Sequence, residues 1–313
     1  MPLSHLKQSI VDTLPPETSR FLVAVSGGVD SVVLLHLLWS LKETLNLSLE
    51  IAHLDHQIRP ESVNDADFVR GLCVQWNLPC YIETCQVSVL AERSKLSLEM
   101  AGRQARREFL QRIAEQTDTQ RIVLAHHQDD QVETFMLRLL RGSGQSGLAA
   151  MRIHQGTWWR PLLSCSREQI LEHARQHNLD WVEDESNSDP TFLRNRLRGL
   201  LLPQLRKINP RFDPHIAGLT QQFQLEEDYW QGQVEQKLPD LVVSRGDGLR
   251  LNRPLLLAQH PALRLRLLRE GLRQVRGDLQ RIEAAHLRAV EGLLLRRRSQ
   301  VQLDLPGCWV ARR

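Results

Sequence analysis

Phe21-Leu22-Val23-Ala24-Val25-Ser26-Gly27-Gly28-Val29-Asp30-Ser31 decides how the chain is organised. An apolar run precedes a Ser-Gly-Gly turn, and an apolar stretch from Val32 to Leu45 follows with a period near 3.6. The segment reads as a buried strand, a tight turn and a helix start. Such a turn suits an anion. Gly27 and Gly28 let the backbone approach closely, Ser26 and Ser31 add hydroxyls, and the free N–H groups of the following helix favour negative charge. The kinase-type loop GxxxxGK[ST] is absent, and no lysine lies between Lys7 and Lys42. Asp30 stands where that loop carries its base. A carboxylate beside a polyphosphate is repelled unless a divalent cation lies between them, so Asp30 calls for Mg²⁺ held by oxygens.

Outward from this stretch, 313 residues suffice for two domains, and 42% hydrophobic content supports packed cores. No apolar run of membrane-spanning length exists and Met1 to Ile10 lacks the pattern of an export signal, so a cytoplasmic protein without membrane contact is expected. Five cysteines without a C-x-x-C pair read as reduced core fillers. The net charge of +3 is unevenly spread: from Asp240 onward 15 Arg and no Lys face 7 acids, a balance of +8 that leaves −5 for the rest. Arg outnumbers Lys 35 to 5, and forked guanidinium groups suit phosphate contacts.

Along the chain, strands are expected at Leu49 to Leu54, Tyr81 to Val87 and Arg121 to Ala125, alternating with helices at Ser62 to Trp76 and Leu96 to Ala114 and another after Asp130. This alternation argues for an α/β fold with a doubly wound, mostly parallel sheet. The polar sets His53 to Ser62 and His126 to Asp130 fall where strands end, the place ligands occupy in open α/β sheets. His53, Asp55 and His56 match no standard zinc spacing. Gly142 to Gly147 reads as a flexible loop, Ser166 with Gln169 as a capping box, and Glu183 to Pro190 as an acidic loop followed by a run of arginines. Residues 1–212 are expected to form the first domain, and 213–313 a smaller α+β domain opening with a long helix and a hairpin around Arg245 to Gly248.

Asp130 and Glu133, three apart at a helix start, project from one face and can meet one ligand. Asp129 alone would satisfy the helix dipole, leaving the pair for chemistry. With these residues in place the chain resembles the tRNA(Ile)-lysidine synthase family, within the PP-loop ATP pyrophosphatases. The resemblance rests on SGGVDS at Ser26 to Ser31, AHLDHQIRPES at Ala52 to Ser62, EMAGRQARREF at Glu99 to Phe109 and AHHQDDQVET at Ala125 to Thr134. RLLRGSGQSGLAAM at Arg138 to Met151, RPLL at Arg160 to Leu163 and EDESNSDPTFLRNRLR at Glu183 to Arg198 continue it. It spans the first domain in order and is weak in the second, and the chain ends where longer members carry a further domain. One departure is Gln57-Ile58, where the pattern leads to an expectation of Gly-Leu.

The resemblance implies a carbon–nitrogen ligase that joins L-lysine to C2 of the wobble cytidine of an isoleucine tRNA with a CAU anticodon. The cytidine is first adenylated by ATP with release of pyrophosphate, and the lysine ε-amine then expels AMP. It implies Ser26, Gly27, Gly28, Val29, Asp30 and Ser31 as the ATP loop, Asp30 and Asp130 as Mg²⁺ ligands, and Asp30, Arg106, Asp130 and Glu133 as catalytic residues. Arg194 and Arg198 are implied as tRNA contacts. Whether Asp130 or Glu133 holds the amine is open, as is the oligomeric state, a homodimer included. A PP-loop tRNA thiolase would need a persulfide cysteine or an iron–sulfur cluster, for which no paired cysteines are evident. A non-catalytic, ATP-gated RNA-binding protein would have no use for three such acids.

Overall fold

The computed structural model describes residues 4–57, 62–183, 193–245, 248–279, 282–296, 301–307 and 309–312. They form two compact units, Met1–Gln221 and Gln222–Arg313. The division falls inside one long helix, beyond the sequence-based boundary at 212.

The first unit is built on a six-stranded sheet in the order β3-β2-β1-β4-β6-β5. Its strands are β1 (Arg20–Ala24), β2 (Ser48–Asp55), β3 (Cys80–Thr84), β4 (Arg121–Val123), β5 (His154–Gln155) and β6 (Trp158–Trp159). All neighbours pair in parallel except β5 with β6. Its helices are α1 (His5–Asp12), α2 (Val29–Leu41), α3 (Ser62–Gln75), α4 (Val87–Ser94), α5 (Leu98–Gln116), α6 (Gln128–Leu140), α7 (Gln145–Leu148) and α8 (Arg167–Gln176). They are followed by α9 (Leu193–Arg196), a π-helical turn at Leu197–Leu201, and α10 (Leu202–Ile208). β1 shows why the sheet is central. Phe21 and Val23 point to one face, into a core with Val33, Leu37, Ile51, Trp159 and Ile170, while Leu22 points to the other, among Phe109, Leu110, Ile113 and Ile122. A strand buried on both faces needs the unbroken apolar run that the sequence has.

Because β2 and β4 flank β1, the chain reverses direction across the sheet between β1 and β4, and the crevice above their C-terminal ends is a ready ligand site. Three expectations need correction. The strand over Tyr81 to Val87 stops at Thr84, and Val87 instead opens α4. The segment after Arg141 is fastened rather than loose. It contains α7, Gln131 bonds both backbone groups of Met151 at 2.8 and 2.9 Å, and Arg138 donates to the carbonyls of Gly147 and Ala150. The third concerns Asp130, taken up below. Ser166 and Gln169 do form the reciprocal capping box of α8. Most of the acidic stretch, 184–190, lies outside the described residues.

The long helix α11 (Phe212–Leu241) carries the boundary. The second unit continues with β7 (Val242–Arg245), β8 (Leu249–Leu251), α12 (Arg253–Leu257), α13 (Pro261–Arg276), α14 (Ala284–Leu295), β9 (Gln302–Leu305) and β10 (Trp309–Arg312). Two antiparallel hairpins, β7-β8 and β9-β10, go with the three helices α12, α13 and α14. Val234, Leu238, Leu256, Leu267, Val290 and Leu305 form its core. Among the described residues no helix is long and apolar enough to cross a membrane.

Candidate active site

The glycine turn is built as its residues require. Gly27 has φ +92°, a left-handed conformation that side chains rarely adopt, and a β-carbon there would meet Phe68 of α3 and Val182. Its carbonyl accepts the N–H of Val182 at 3.0 Å. Ser31 Oγ accepts from Ser26 N and donates to Gly28 O, which ties the loop to the first turn of α2. Gly28 caps α2 without a side chain, and among the described residues the N–H groups of Gly27, Val29 and Asp30 meet no acceptor. Three free donors at the start of a thirteen-residue helix make an anion cradle. Beside it lies a slot of about 190 Å³ lined by Ala24, Ala52, Leu54, Phe109, Leu110 and Leu124, with Asp30, Arg106 and His126 at its polar edge. Its apolar walls have the chemistry that suits the faces of an aromatic base. A larger, open hollow near 450 Å³ lies between α3 and the ends of β2 and β3, away from the glycine turn. Two of its acids, Asp67 and Glu83, are already paired with Arg70 and Arg112, so the smaller cleft is the candidate.

Across the crevice, at the end of β4, His127 is buried among three carboxylates: Asp30 at 3.6 Å, Asp129 at 3.7 Å and Asp130 at 3.5 Å. Burial alone would lower its pKa, but contacts to Asp129 and Asp30 and the charge of Asp130 raise it to about 10, so His127 is an imidazolium at neutral pH. Burial would raise Asp130, yet His127 and Arg194 outweigh that and hold it below the ordinary range. Asp130 also accepts the N–H of His127 at 3.1 Å, so it caps α6 itself. The expectation that Asp129 would do so and leave Asp130 free is corrected: Asp129 accepts instead from Arg167 N and pairs with Arg206. Sequence reasoning placed His127 only within the polar set at the end of β4, because the three carboxylates around it are gathered by the fold.

Glu133, one turn along α6, is 1% exposed in its side chain. Its carboxylate takes Arg194 Nε at 2.6 Å, Arg198 Nε at 2.5 Å and Arg198 Nη2 at 3.0 Å, while Arg194 Nη2 reaches Asp130 at 2.7 Å. Arg194 and Arg198 lie four apart on α9 and the π-helical turn, so one helical face delivers both. These two arginines, expected to face RNA, are thus brought onto the acids of the site while staying about one third exposed. Arg106 reaches the same cleft from α5 and, though its side chain is exposed to solvent, it lines the slot. His53, buried in β2, bonds Val25 O through Nδ1 at 2.8 Å and so braces the strand that leads into the glycine turn.

Mg²⁺ fits these donors. Asp30 Oδ1 is buried without a partner among the described residues, and Asp30 and Asp130 share His127 as a neighbour, so both carboxylates line one small volume. No three candidate ligands stand together among the described residues, which agrees with a cation held by one or two carboxylates and completed by phosphate oxygens and water.

A family model described as a PP-loop domain matches residues 2–205. The chain belongs to the PP-loop domain family. Beyond this PP-loop domain, the chain is similar to a tRNA(Ile)-lysidine synthase of Geobacter sulfurreducens, with 38% identity covering 92% of the chain and 62% of that relative. It is similar also to one of Thermotoga maritima, with 37% identity covering 72% of the chain and 54% of the relative. It therefore spans a little over half the length of these relatives. Among solved structures, the U34-tRNA thiolase NcsA of Methanococcus maripaludis, with its [4Fe-4S] cluster, aligns with a TM-score of 0.59 at 18% identity, over 70% of this chain and 78% of that one. That likeness shows the shared PP-loop fold.

Proposed function

We propose that this PP-loop protein is a tRNA(Ile)-lysidine synthase, a ligase that uses ATP to join L-lysine to C2 of the wobble cytidine of the CAU-anticodon isoleucine tRNA. The observation that carries the proposal is the meeting, at the ends of β1 and β4, of an anion cradle with a buried carboxylate pair that binds cations. A phosphate loop alone serves many reactions, whereas Glu133 buried beneath two guanidinium groups marks a second pocket for a positively charged group. The similarity to curated lysidine synthases supports the same reading.

In this reading the apolar slot takes the adenine, and the N–H groups of Gly27, Val29 and Asp30 hold the phosphates. The cytidine C2 oxygen attacks the α-phosphorus and pyrophosphate leaves. Arg106 stabilises the charge that develops there, as positioned donors do. Asp30 and Asp130 would hold Mg²⁺, which supplies charge neutralisation between their carboxylates and the phosphates. Glu133 then accepts the ammonium of lysine, orients it and takes its proton as the nitrogen bonds to C2 and AMP departs. Arg194 and Arg198, freed from the acids, are placed to meet the tRNA backbone, and the basic second unit to dock the tRNA body, as fits a reaction in the cytoplasm.

The test is to incubate the chain with ATP, labelled lysine and transcripts of the CAU-anticodon isoleucine tRNA and of methionine tRNA. Label is expected in the isoleucine transcript, dependent on ATP. Label in neither, from a folded protein, overturns the reading.

A further inference from the structure

Asp55 ends β2 buried and turns its carboxylate back on the chain, where Oδ1 accepts the N–H of Gln57 at 2.8 Å. Gln57 has φ +49°, a conformation that glycine adopts freely and glutamine rarely. The turn between them throws His56 toward α5. Its ring lies over Gly102, where an added β-carbon would sit 3.9 Å from Nδ1, and its carbonyl accepts the N–H of Val87 at the start of α4. His56 Nε2 stands 2.9 Å from Nη2 of Arg106.

A guanidinium only donates, so Nε2 must be the acceptor, and the ring is neutral with its proton on Nδ1. The surroundings favour that state: burial first, then the charge of Arg106 and the neighbouring imidazole of His53, lower the pKa of His56 to about 4 against the pull of Asp55. The choice of an imidazole has a chemical point. A carboxylate would hold an arginine more tightly, but it would cancel the charge that a phosphate needs. A neutral nitrogen fixes the direction of the guanidinium and leaves its charge whole.

We propose that His56 is the positioning residue of Arg106, its Nε2 lone pair holding the guanidinium toward the cradle at Ser26 to Ser31 with its charge available to a nucleotide phosphate. This rests on reading Arg106 as a phosphate partner. The turn at Asp55-His56-Gln57 then exists to aim one ring, which accounts for a left-handed residue that is not glycine.

The test is a double-mutant cycle on binding of α,β-methylene-ATP with Mg²⁺, read by equilibrium titration, with thermal unfolding as a check on folding. Arg106→Gln and His56→Ala are each expected to weaken binding about tenfold, the scale of a hydrogen bond to a charged group, and the double variant no further than either. His56→Phe fills the space without an acceptor and should behave like His56→Ala, whereas His56→Gln, which can accept through its amide oxygen, should stay within about threefold of the wild type. Losses that add in the double variant, or wild-type binding by His56→Phe, overturn the proposal. No loss in Arg106→Gln removes its premise and the proposal with it. The lysine-transfer assay stands apart: a chain that shows the coupling but labels no tRNA keeps His56 in its role and loses the lysidine reading.

Discussion

Asp30 and Glu133 occupy different electrostatic settings, and their substitution should separate two events. Asp30 keeps an unpartnered buried oxygen on the phosphate side, so Asp30→Ala is expected to abolish formation of adenylated tRNA while leaving tRNA affinity within about twofold, because no RNA contact is assigned to it. Radiolabel from α-labelled ATP on the RNA reads this out, and an active variant would remove the metal role. Glu133→Gln keeps the shape but loses the charge that faces Arg194 and Arg198. Adenylated tRNA should accumulate in this variant and be consumed on addition of lysine at a rate lower by about 10²–10⁴, the usual cost of a lost general base. Loss of adenylation in Glu133→Gln, with accumulation in Asp130→Asn, would exchange the roles of the two acids.

At the scale of elements, α2 and α8 pack against each other and bring His36 Nδ1 within 3.0 Å of His173 Nε2, with His177 and Lys7 beside them. Burial, then His177 and Lys7, lower His36 to about 4 from an ordinary 6.5, and burial, His177, His36 and Lys7 do the same to His173. The unfolded chain therefore takes up protons between pH 6.5 and 4 that the folded chain resists. Their contribution to stability is complete above about 6.5 and is lost as the pH falls toward 4. Urea midpoints measured from pH 7.5 to 4.5 should fall less steeply in a His36→Gln, His173→Gln double variant than in the wild type, and parallel curves would sink the idea. The elements themselves were unequally legible in the sequence. β1, α2, β2 and α5 declare themselves because long apolar runs and helical periods accumulate over many residues. The β5-β6 hairpin has two residues a strand, too few for any period, and Val87 reads as the end of β3 when its backbone in fact begins α4. The acids of the site were visible as residue types in place, but their partners were not: Arg194 and Arg198 lie more than sixty residues from Glu133, and only the fold brings them back.

For the whole molecule, charge asymmetry becomes physical once the two units are distinguished. The chain from Asp240 onward holds its balance of +8 within the second unit, away in sequence from the acids of α6. Arg250 and Arg288 are exposed there without an ion-pair partner among the described residues. If this surface binds tRNA, log affinity should fall linearly with log salt, and replacing each of these two by Gln should lower the slope by roughly 0.7–0.9 per phosphate contact removed. Filter binding across a salt series reads the slope, and an unchanged slope in both variants would move the RNA contacts to other residues.

Glu133 has both oxygens engaged before any substrate arrives. If it takes the lysine ammonium as proposed, its chamber is a cation exchanger and not a vacant trap. An incoming ammonium would not fall into a bare negative well; it would displace resident guanidinium groups, so the charge it brings replaces charge already there. The flat fork of a guanidinium matches a carboxylate better than a compact ammonium does. Selection among amines is then set by how far each can reproduce the geometry of the ion it evicts, and an uncharged mimic of lysine, bringing no cation to the swap, has nothing to trade.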